Sequence, residues 1–230
     1  MRADSRTELS RYFDHTLLKP EARASQYETL CREALQLRTR TVCVPPDRVA
    51  LAVDLLQDST VEVCTVIGFP LGYSSTSAKV AEVDLTRTLG ASEFDVVIPV
   101  GRLRDGDLPA VYDDIRAVVA AAEGSVVKVI LETALLTDAE KIAGSVAAIH
   151  GGAAFLKTST GFSTGGATVE DIRLLRMVAG ESRGVKASGG VRELAFVKAC
   201  IAAGADRIGA SATAAILANA AGGPEGNDGY

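Results

Sequence analysis

Short apolar runs rich in β-branched residues alternate with amphipathic stretches along most of the chain. The runs predict eight strands, at residues 13–16, 41–44, 62–68, 93–99, 126–132, 154–158, 184–188 and 206–210. The stretches between them, such as residues 26–34 and 108–122, carry apolar side chains at the three- and four-residue spacing that is typical of helices. Helix starts are predicted at residues 137–140 and 168–171, where a threonine precedes early acidic residues.

Strands that alternate with helices pair in parallel, and eight such units in this length most simply close into a (β/α)8 TIM barrel. A doubly wound open sheet is the alternative, but no GxGxxG motif follows the first predicted strand. We therefore predict a single barrel domain over residues 1–220, with a short N-terminal helical extension. Residues 221–230, AGGPEGNDGY, predict a flexible tail because glycine and polar residues cannot build a core.

Composition excludes several classes of protein. The 230-residue chain is 47% hydrophobic with a formal net charge of −5, which argues against nucleic acid or an anionic membrane as the main partner. Its four cysteines form no CxxC pair, and its N-terminus has no apolar leader, so we expect a cytoplasmic protein. No metal site is expected, because the only histidines, His15 and His150, are far apart in the sequence.

Three lysines interrupt the predicted strands. Lys157 lies in AAFLKTSTG, Lys186 in GVKASGG and Lys128 in VVKVILET. Strand carboxyl ends form the active-site face of a barrel, and neighbouring strands lie about 4.8 Å apart, so Lys157 and Lys186 can approach each other. Two desolvated ammonium groups lower each other's pKa, which favours a nucleophilic amine and Schiff-base chemistry with a carbonyl. The alternative is that each lysine extends from its strand end to solvent.

Two aspartates and one cysteine are further candidates. Asp95 lies within the apolar strand EFDVVI, where an unpaired acid is costly; near the lysines it is either a proton shuttle or a structural ion-pair partner. Asp14, in FDHTLL, is open to the same two interpretations. We interpret Cys43, in TVCVPP, as a small buried strand residue rather than a nucleophile, since no histidine base lies near it in the sequence.

Glycine-rich segments follow the last two predicted strands. SGGVR (188–192) comes after the seventh strand and GAS (209–211) after the eighth. In such barrels these loops and the helix N-termini behind them commonly bind phosphate through backbone N–H groups. Arg192 adds a positive charge to the predicted phosphate site.

These segments resemble those of the DeoC-type class I aldolases, the 2-deoxy-D-ribose-5-phosphate aldolase family. The resemblance spans about residues 13–217 in the family's order, and KTSTG together with VKASGG is highly specific. The other matching segments are DHTLLKP, VCVPP, TVIGFPLG, EFDVVIPVG, KVILET, GGAT, the VR that follows VKASGG, and RIGAS.

The resemblance implies reversible cleavage of 2-deoxyribose 5-phosphate into glyceraldehyde 3-phosphate and acetaldehyde, without a metal or organic cofactor. It implies that Lys157 forms the Schiff base, that Lys186 tunes it, and that Asp95 is the acid/base carboxylate. The residues implied to support them are Lys128, Asp14 and Thr158, and those implied to hold the substrate phosphate are Gly161, Gly189, Gly190, Gly209 and Ser211. A homodimer is expected, since barrels of this kind often pair through their outer helices.

Some positions depart from the family pattern. Pro45 and Pro99 stand where asparagine is more usual, and Ala212 stands where a second serine commonly follows Ser211. Tyr230 corresponds to a terminal tyrosine that reaches the site in some relatives, and a solvated terminal aromatic is the alternative. Two other functions stay open: an isomerase or lyase that uses another base in the same phosphate pocket, and a barrel that binds a phosphorylated metabolite without turnover.

Overall fold

A computed structural model describes residues 5–222, which form a closed barrel of eight parallel strands. Each strand pairs with the next along the chain, and the eighth pairs with the first, which confirms the predicted TIM barrel. The strands are β1 (Phe13–Thr16), β2 (Thr41–Val44), β3 (Glu62–Ile67), β4 (Glu93–Val97), β5 (Val126–Ile130), β6 (Phe155–Lys157), β7 (Gly184–Ser188) and β8 (Arg207–Ala210).

Four predicted strands are slightly too long at their carboxyl ends, including β6, which ends at Lys157, one residue before its predicted end. β3 stops before Gly68, which has a φ of 59°, and β4 stops two residues before Pro99. β5 stops before Glu132, which also has a left-handed φ of 58°. A positive φ takes the chain out of the extended conformation that a strand ladder requires.

Helices cover the outside of the barrel and follow the predicted alternation. They are α1 (Ser5–Ser10), α2 (Ala24–Leu37), α3 (Val49–Leu55), α4 (Thr76–Thr88), α5 (Val100–Arg104), α6 (Leu108–Ala121), α7 (Asp138–His150), α8 (Val169–Ala179), α9 (Leu194–Ala202) and α10 (Thr213–Gly222). Helix α1 is the predicted N-terminal extension. Within the part of the chain described here, no helix has the length and apolar character needed to cross a membrane.

Two helix starts occur where the sequence predicts them. Thr137 accepts a hydrogen bond from the Glu140 backbone N–H, and Glu140 caps Thr137 in return. Thr168 accepts from the backbone N–H of Asp171 at the start of α8. These side chains satisfy N–H groups that have no partner within the helix.

Helix α10 continues to Gly222, so the predicted tail boundary at residues 220 and 221 falls inside a helix. The rest of the predicted tail lies outside the described residues. The division of the chain into a barrel and a tail therefore stays a prediction.

Strand alternation separates an apolar outer layer from a polar barrel interior. On β4, Phe94 and Val96 are buried in the main hydrophobic core, which the strands share with the helices. Their neighbours Glu93 and Asp95 point the other way, because successive strand residues face opposite sides of a sheet. Asp95 there meets side chains from β5, β6 and β7. The period of two thus brings charged groups from distant segments into the barrel interior.

Candidate active site

Lys157 and Lys186 converge on one oxygen of Asp95. The strands β6 and β7 pair with Lys157 opposite Lys186. The Nζ atoms of the two lysines lie 2.6 and 2.7 Å from Asp95 Oδ2, and all three residues are buried. The sequence analysis expected the lysines to approach each other, and the structure places them on a shared carboxylate.

Lys128 and Asp14 lie in the same cluster. Lys128 Nζ is 2.9 Å from Asp95 Oδ1, the oxygen that Lys157 and Lys186 leave free. Asp14 Oδ2 lies 2.5 Å from Lys186 Nζ and 3.6 Å from Lys128 Nζ. The two residues predicted to support the site therefore link the lysines into one network.

Two further members of this network were missed by the sequence analysis. Arg207 donates to Asp14 Oδ1 at 2.6 Å and to Glu93 Oε2 at 2.9 Å, and Glu93 lies 2.6 Å from Lys128 Nζ. Glu93 carried a usable signal, since it stands two residues before Asp95 and so faces the same side of β4. Arg207 carried no signal beyond its position at the start of a predicted strand.

The buried side chains of the network are four cations and three anions, which gives one excess positive charge when all are ionised; the partly exposed Arg40 also lies 3.8 Å from Glu93. The cationic residues are Lys128, Lys157, Lys186 and Arg207, and the anionic residues are Asp14, Glu93 and Asp95. An excess of buried positive charge attracts an anionic ligand to the mouth of the barrel.

The network lowers the pKa values of its aspartates. Burial acts to raise the pKa of Asp95, but the charges of Lys128, Lys157 and Lys186 outweigh it and hold that pKa well below its ordinary value. Burial likewise acts to raise the pKa of Asp14, and Lys186, Lys128 and Arg207 together lower it. Both carboxyl groups are therefore ionised at neutral pH.

The expectation that Lys186 has a lowered pKa is wrong. Burial does act in that direction, but Asp14 and Asp95 outweigh it and raise the pKa of Lys186. The pKa of Lys128 is also raised, because Asp95 and other neighbouring groups outweigh its burial. The sequence argument offered Asp95 and Asp14 as partners of the lysines but did not weigh their negative charges in the pKa of Lys186. Lys186 is thus a fixed positive charge.

A cavity of about 380 Å³ opens above Lys157, between loops that follow strand carboxyl ends. Its lining includes Lys157 and all six residues predicted to bind phosphate: Gly161, Gly189, Gly190, Arg192, Gly209 and Ser211. The end of β1 and the loop after it also contribute to the cavity, through Thr16, Leu17, Leu18 and Lys19, as does Phe162 in the loop after β6. These five were not predicted, although their positions at or just beyond strand ends are a usable signal.

Gly189 requires the absence of a side chain. Its φ is +87°, and a Cβ added there would lie 3.0 Å from Gly166 Cα and 3.3 Å from Ser159 Cβ. Only glycine allows the three loop segments around it to pack this closely while leaving N–H groups accessible.

Hydrogen bonds fix the loops around the cavity. Thr158 Oγ1 donates to the Ser188 carbonyl at 3.0 Å and accepts from the Ser188 N–H at 3.1 Å. Thr160 donates to Glu132 Oε2 from its N–H at 3.2 Å and from its hydroxyl at 2.5 Å. Thr158 therefore joins the ends of β6 and β7, as a supporting residue would, and the Glu132 contact holds the start of the loop that contains Gly161.

Three positions that depart from the family pattern do not line this cavity. Pro45, Pro99 and Ala212 are not among the described residues that line the cavity, although Ser211 is. Tyr230 lies outside the described residues.

The barrel interior also holds two groups of potential metal ligands. Cys43, Cys64 and Asp95 place one ligand atom each within 4.8 Å of one another, and so do Asp14, Cys64 and Glu93. The sequence spacing gave no sign of either group, because Cys43 and Cys64 come from different strands.

The chain is similar to known proteins over most of its length. The model of the DeoC/LacD family aldolases matches residues 8–222. A curated protein of Exiguobacterium sibiricum named deoxyribose-phosphate aldolase is 55% identical over 210 residues, which cover 91% of this chain and 95% of that protein.

Two solved structures share both sequence and fold with the chain. One, from Coccidioides immitis and described as a candidate deoxyribose-phosphate aldolase, has a TM-score of 0.92 and 41% identity, and the match covers 96% of this chain and 88% of that one. The other is a tetrameric deoxyribose phosphate aldolase from Aeropyrum pernix, with a TM-score of 0.89 and 34% identity, covering 96% and 94% of the two chains.

Proposed function

Because the chain belongs to the DeoC/LacD family of aldolases, we propose that it reversibly cleaves 2-deoxy-D-ribose 5-phosphate into D-glyceraldehyde 3-phosphate and acetaldehyde through a Schiff base. One observation carries the proposal: the Lys157 amine lies 2.6 Å from the Asp95 carboxylate and lines a cavity walled by glycine-rich loops. A nucleophile and a proposed anion site thus share one cavity, and the proton acceptor, Asp95, is buried in direct contact with the nucleophile.

Lys157 is the nucleophile. Its uncharged amine adds to the C1 aldehyde of the open-chain sugar, and loss of water gives a protonated imine. Asp95 Oδ2 is positioned to take a proton from the Lys157 ammonium before attack. Asp95 returns this proton to the hydroxyl group that leaves as water when the imine forms, so it is again a carboxylate base for the next step.

Cleavage breaks the C2–C3 bond. Asp95, directly or through one water, removes the proton of the C3 hydroxyl, and the C2–C3 electron pair moves into the imine. Glyceraldehyde 3-phosphate leaves, and a two-carbon enamine stays on Lys157. Protonation at C2 and addition of water release acetaldehyde and the free lysine. The iminium is the electron sink, so the reaction as written needs no cofactor.

Lys186 and the loops have electrostatic roles. Lys186 stays cationic beside Asp95 and helps to hold the pKa of that carboxyl group low, which keeps the proton acceptor ionised. The backbone N–H groups of Gly189 and Gly190, with Arg192, hold the phosphate of the substrate.

The test is trapping with borohydride. Enzyme incubated with acetaldehyde and sodium borohydride should gain a stable two-carbon adduct on the peptide that contains Lys157, and Lys157→Ala should not. Lys141→Ala is the matched control, because Lys141 pairs with Asp138 and Asp171 on the outer helices and should leave trapping unchanged. An adduct that persists in the Lys157→Ala protein would contradict the mechanism.

A direct assay separates this proposal from the alternatives. Wild-type protein should release glyceraldehyde 3-phosphate from 2-deoxyribose 5-phosphate, measured with a coupled dehydrogenase. Isomerisation without cleavage, or tight binding of the sugar phosphate without turnover, would instead support one of the other two functions.

Location and assembly complete the proposal. The four cysteines are free and buried, which fits a reducing cytoplasm.

The expected assembly is a homodimer, and the Aeropyrum pernix relative is described as a tetramer. Leu71 and Tyr73 are exposed apolar side chains in the loop before α4 that an interface could cover. Light scattering on the purified chain should give at least twice the monomer mass of 23.9 kDa; a monomer would contradict this part.

A further inference from the structure

Cys43 and Cys64 face each other inside the barrel. They are directly opposite in the parallel pairing of β2 with β3, and they form an interior cluster with Val66 that is separate from the main core. Cys43 is 1% exposed and Cys64 is fully buried. The two thiols are therefore neighbours although 20 residues separate them in the chain.

Asp95 completes a set of three ligand atoms. Its Oδ1 lies 3.3 Å from Cys64 Sγ, and the Cys43 sulfur, the Cys64 sulfur and an Asp95 oxygen lie within 4.8 Å of one another. In a tetrahedral zinc site, with Zn–S near 2.3 Å and Zn–O near 2.1 Å, ligand atoms are about 3.5 to 3.8 Å apart. The three atoms are already close to the spacing that such an ion requires.

We propose that Cys43, Cys64 and Asp95 form a site for a thiolate-preferring divalent metal ion, such as Zn²⁺ or Cd²⁺, and that its occupation inhibits the enzyme. Two sulfur ligands select zinc and cadmium over magnesium or calcium, which prefer oxygen. Three protein ligands leave a fourth position for water.

The charge balance permits binding beside four cationic side chains. Each thiol gives up a proton when it becomes a ligand, so one M²⁺ replaces two H⁺ and the net charge of the site is unchanged. Lys128 donates to Cys64 Sγ at 3.2 Å and to Asp95 Oδ1 at 2.9 Å, and both contacts weaken when the metal binds. It keeps its contact of 2.6 Å with Glu93.

The ion reaches the site through the substrate cavity. Leu18 and Phe69 are the partly buried side chains packed on the Cys43, Cys64 and Val66 cluster. Leu18 also lines the cavity. Rotation of the Leu18 side chain therefore opens a path from the cavity to the thiols.

Inhibition follows from the loss of Asp95. A carboxylate bound to a metal is a poorer proton acceptor and is drawn away from the Lys157 and Lys186 ammonium groups. This inhibitory effect rests on the proposed aldolase function, whereas metal binding itself does not.

Titration with Cd²⁺ tests the binding site. The full-length chain, kept reduced with a phosphine, should develop the ultraviolet charge-transfer band of a cadmium thiolate and bind one Cd²⁺ per chain by equilibrium dialysis. Cys43→Ala and Cys43→Ser should each lose the band and weaken Cd²⁺ binding at least tenfold. The matched controls are Cys31→Ala and Cys200→Ala, which remove the two other buried cysteines and should bind as the wild type does.

Circular dichroism and thermal melting show whether each variant is folded. The second replacement at Cys43 keeps the test valid if one of the two variants fails to fold. No cadmium–thiolate band in the wild type, or a full band in both Cys43 variants, would overturn the site.

Activity tests the inhibitory effect separately. Cd²⁺ or Zn²⁺ should reduce sugar phosphate cleavage by the wild type at least tenfold, with recovery on adding a chelator. Each Cys43 variant, compared with its own metal-free rate, should lose less than twofold. Equal inhibition of wild type and variants would overturn the inhibitory role. A protein that binds Cd²⁺ as described but never cleaves the sugar phosphate would retain the metal site and refute the proposed function instead.

Discussion

Asp95 accepts hydrogen bonds from three network lysines, more than any other described carboxylate does. The donors are Lys128, Lys157 and Lys186. Asp95→Asn should lower kcat by about 10² to 10⁴, as expected for removal of a general acid/base. It should also destabilise the fold by about 3–5 kcal/mol, because buried lysines lose their counter-charge. A coupled aldolase assay and urea unfolding measure the two effects.

Asp113→Asn is the control for that substitution. Asp113 lies on α6 in an exposed pair with Arg116, so neither kcat nor stability should change measurably. An Asp95→Asn protein that kept wild-type kcat would remove Asp95 from the mechanism.

Lys186 offers a test of electrostatic tuning. Lys186→Met removes a fixed positive charge beside the reacting amine, so the acidic limb of the pH–rate profile should move to higher pH and kcat at neutral pH should fall at least tenfold. The fold should persist, because Asp14 keeps its 2.6 Å contact with Arg207. Lys186→Arg, which retains the charge, should shift the profile less. Identical profiles for the wild type and Lys186→Met would contradict this role.

At the scale of elements, the loop after β7 contributes Gly189, Gly190 and Arg192 to the proposed phosphate site. Gly189→Ala places a Cβ 3.0 Å from Gly166 Cα at a φ of +87°. We expect KM for 2-deoxyribose 5-phosphate to rise at least tenfold, with a much smaller change for unphosphorylated 2-deoxyribose, because the loop must open to admit the methyl group. Steady-state kinetics with both sugars provides the measurement.

Gly124→Ala is matched to that substitution. Gly124 has a φ of +89° with no atom within 4 Å of an added Cβ, and it precedes β5 at the opposite end of the barrel. Gly124→Ala should lower the free energy of unfolding by about 1–2 kcal/mol, because alanine is strained in the same left-handed conformation, and it should leave KM unchanged. A similar KM increase in both variants would mean that lost stability, rather than the phosphate loop, is responsible.

A buried ion pair joins α4, α6 and the end of β4. Lys79 Nζ lies 2.7 Å from Asp114 Oδ2 and donates to the Val97 carbonyl at 2.8 Å. Lys79→Met should lower the free energy of unfolding by about 3–5 kcal/mol, since Asp114 stays buried without its counter-charge. Lys79→Met combined with Asp114→Leu should recover part of that loss, measured by urea unfolding. A double variant less stable than the single one would show that the pair itself stabilises the fold.

At the scale of the whole molecule, the interior network sets the pH range of stability. The pKa values of Asp14 and Asp95 are lowered in the fold, so their stabilisation is complete above the unfolded value near 3.9 and is lost as pH falls through the folded values. The pKa values of Lys128 and Lys186 are raised, so their stabilisation is complete below about 10.4 and is lost as pH rises through the folded values.

The network alone should therefore keep the melting temperature nearly constant from about pH 5 to pH 9. Buried His15 should add a fall below about pH 6.5, because burial lowers its pKa in the fold and the unfolded chain then binds the proton more readily. Repeating the scan in 1 M salt should leave the plateau in place, because buried charges are screened far less than surface pairs. A plateau that disappears in high salt would assign the pH dependence to surface charges.

The sequence by itself determined the barrel, the strand positions and most of the cavity. Alternation of β-branched runs with amphipathic helices is a local property, and the direction of parallel strands places every following loop on one face. This explains how Lys157 and the glycines of the loops after β6 and β7 could be placed in one cavity from segments such as KTSTG and VKASGG, with Lys186 on the strand beside Lys157.

Only the tertiary structure decided what those side chains contact. Arg207 pairs with Asp14 across 193 residues of sequence, and Cys43 meets Cys64 only because β2 and β3 are in register. The raised pKa of Lys186 depends on Asp14, a residue from the opposite end of the chain. Closure of the barrel brings these groups into one buried space, and charges at such short distances outweigh the preference that each residue has alone.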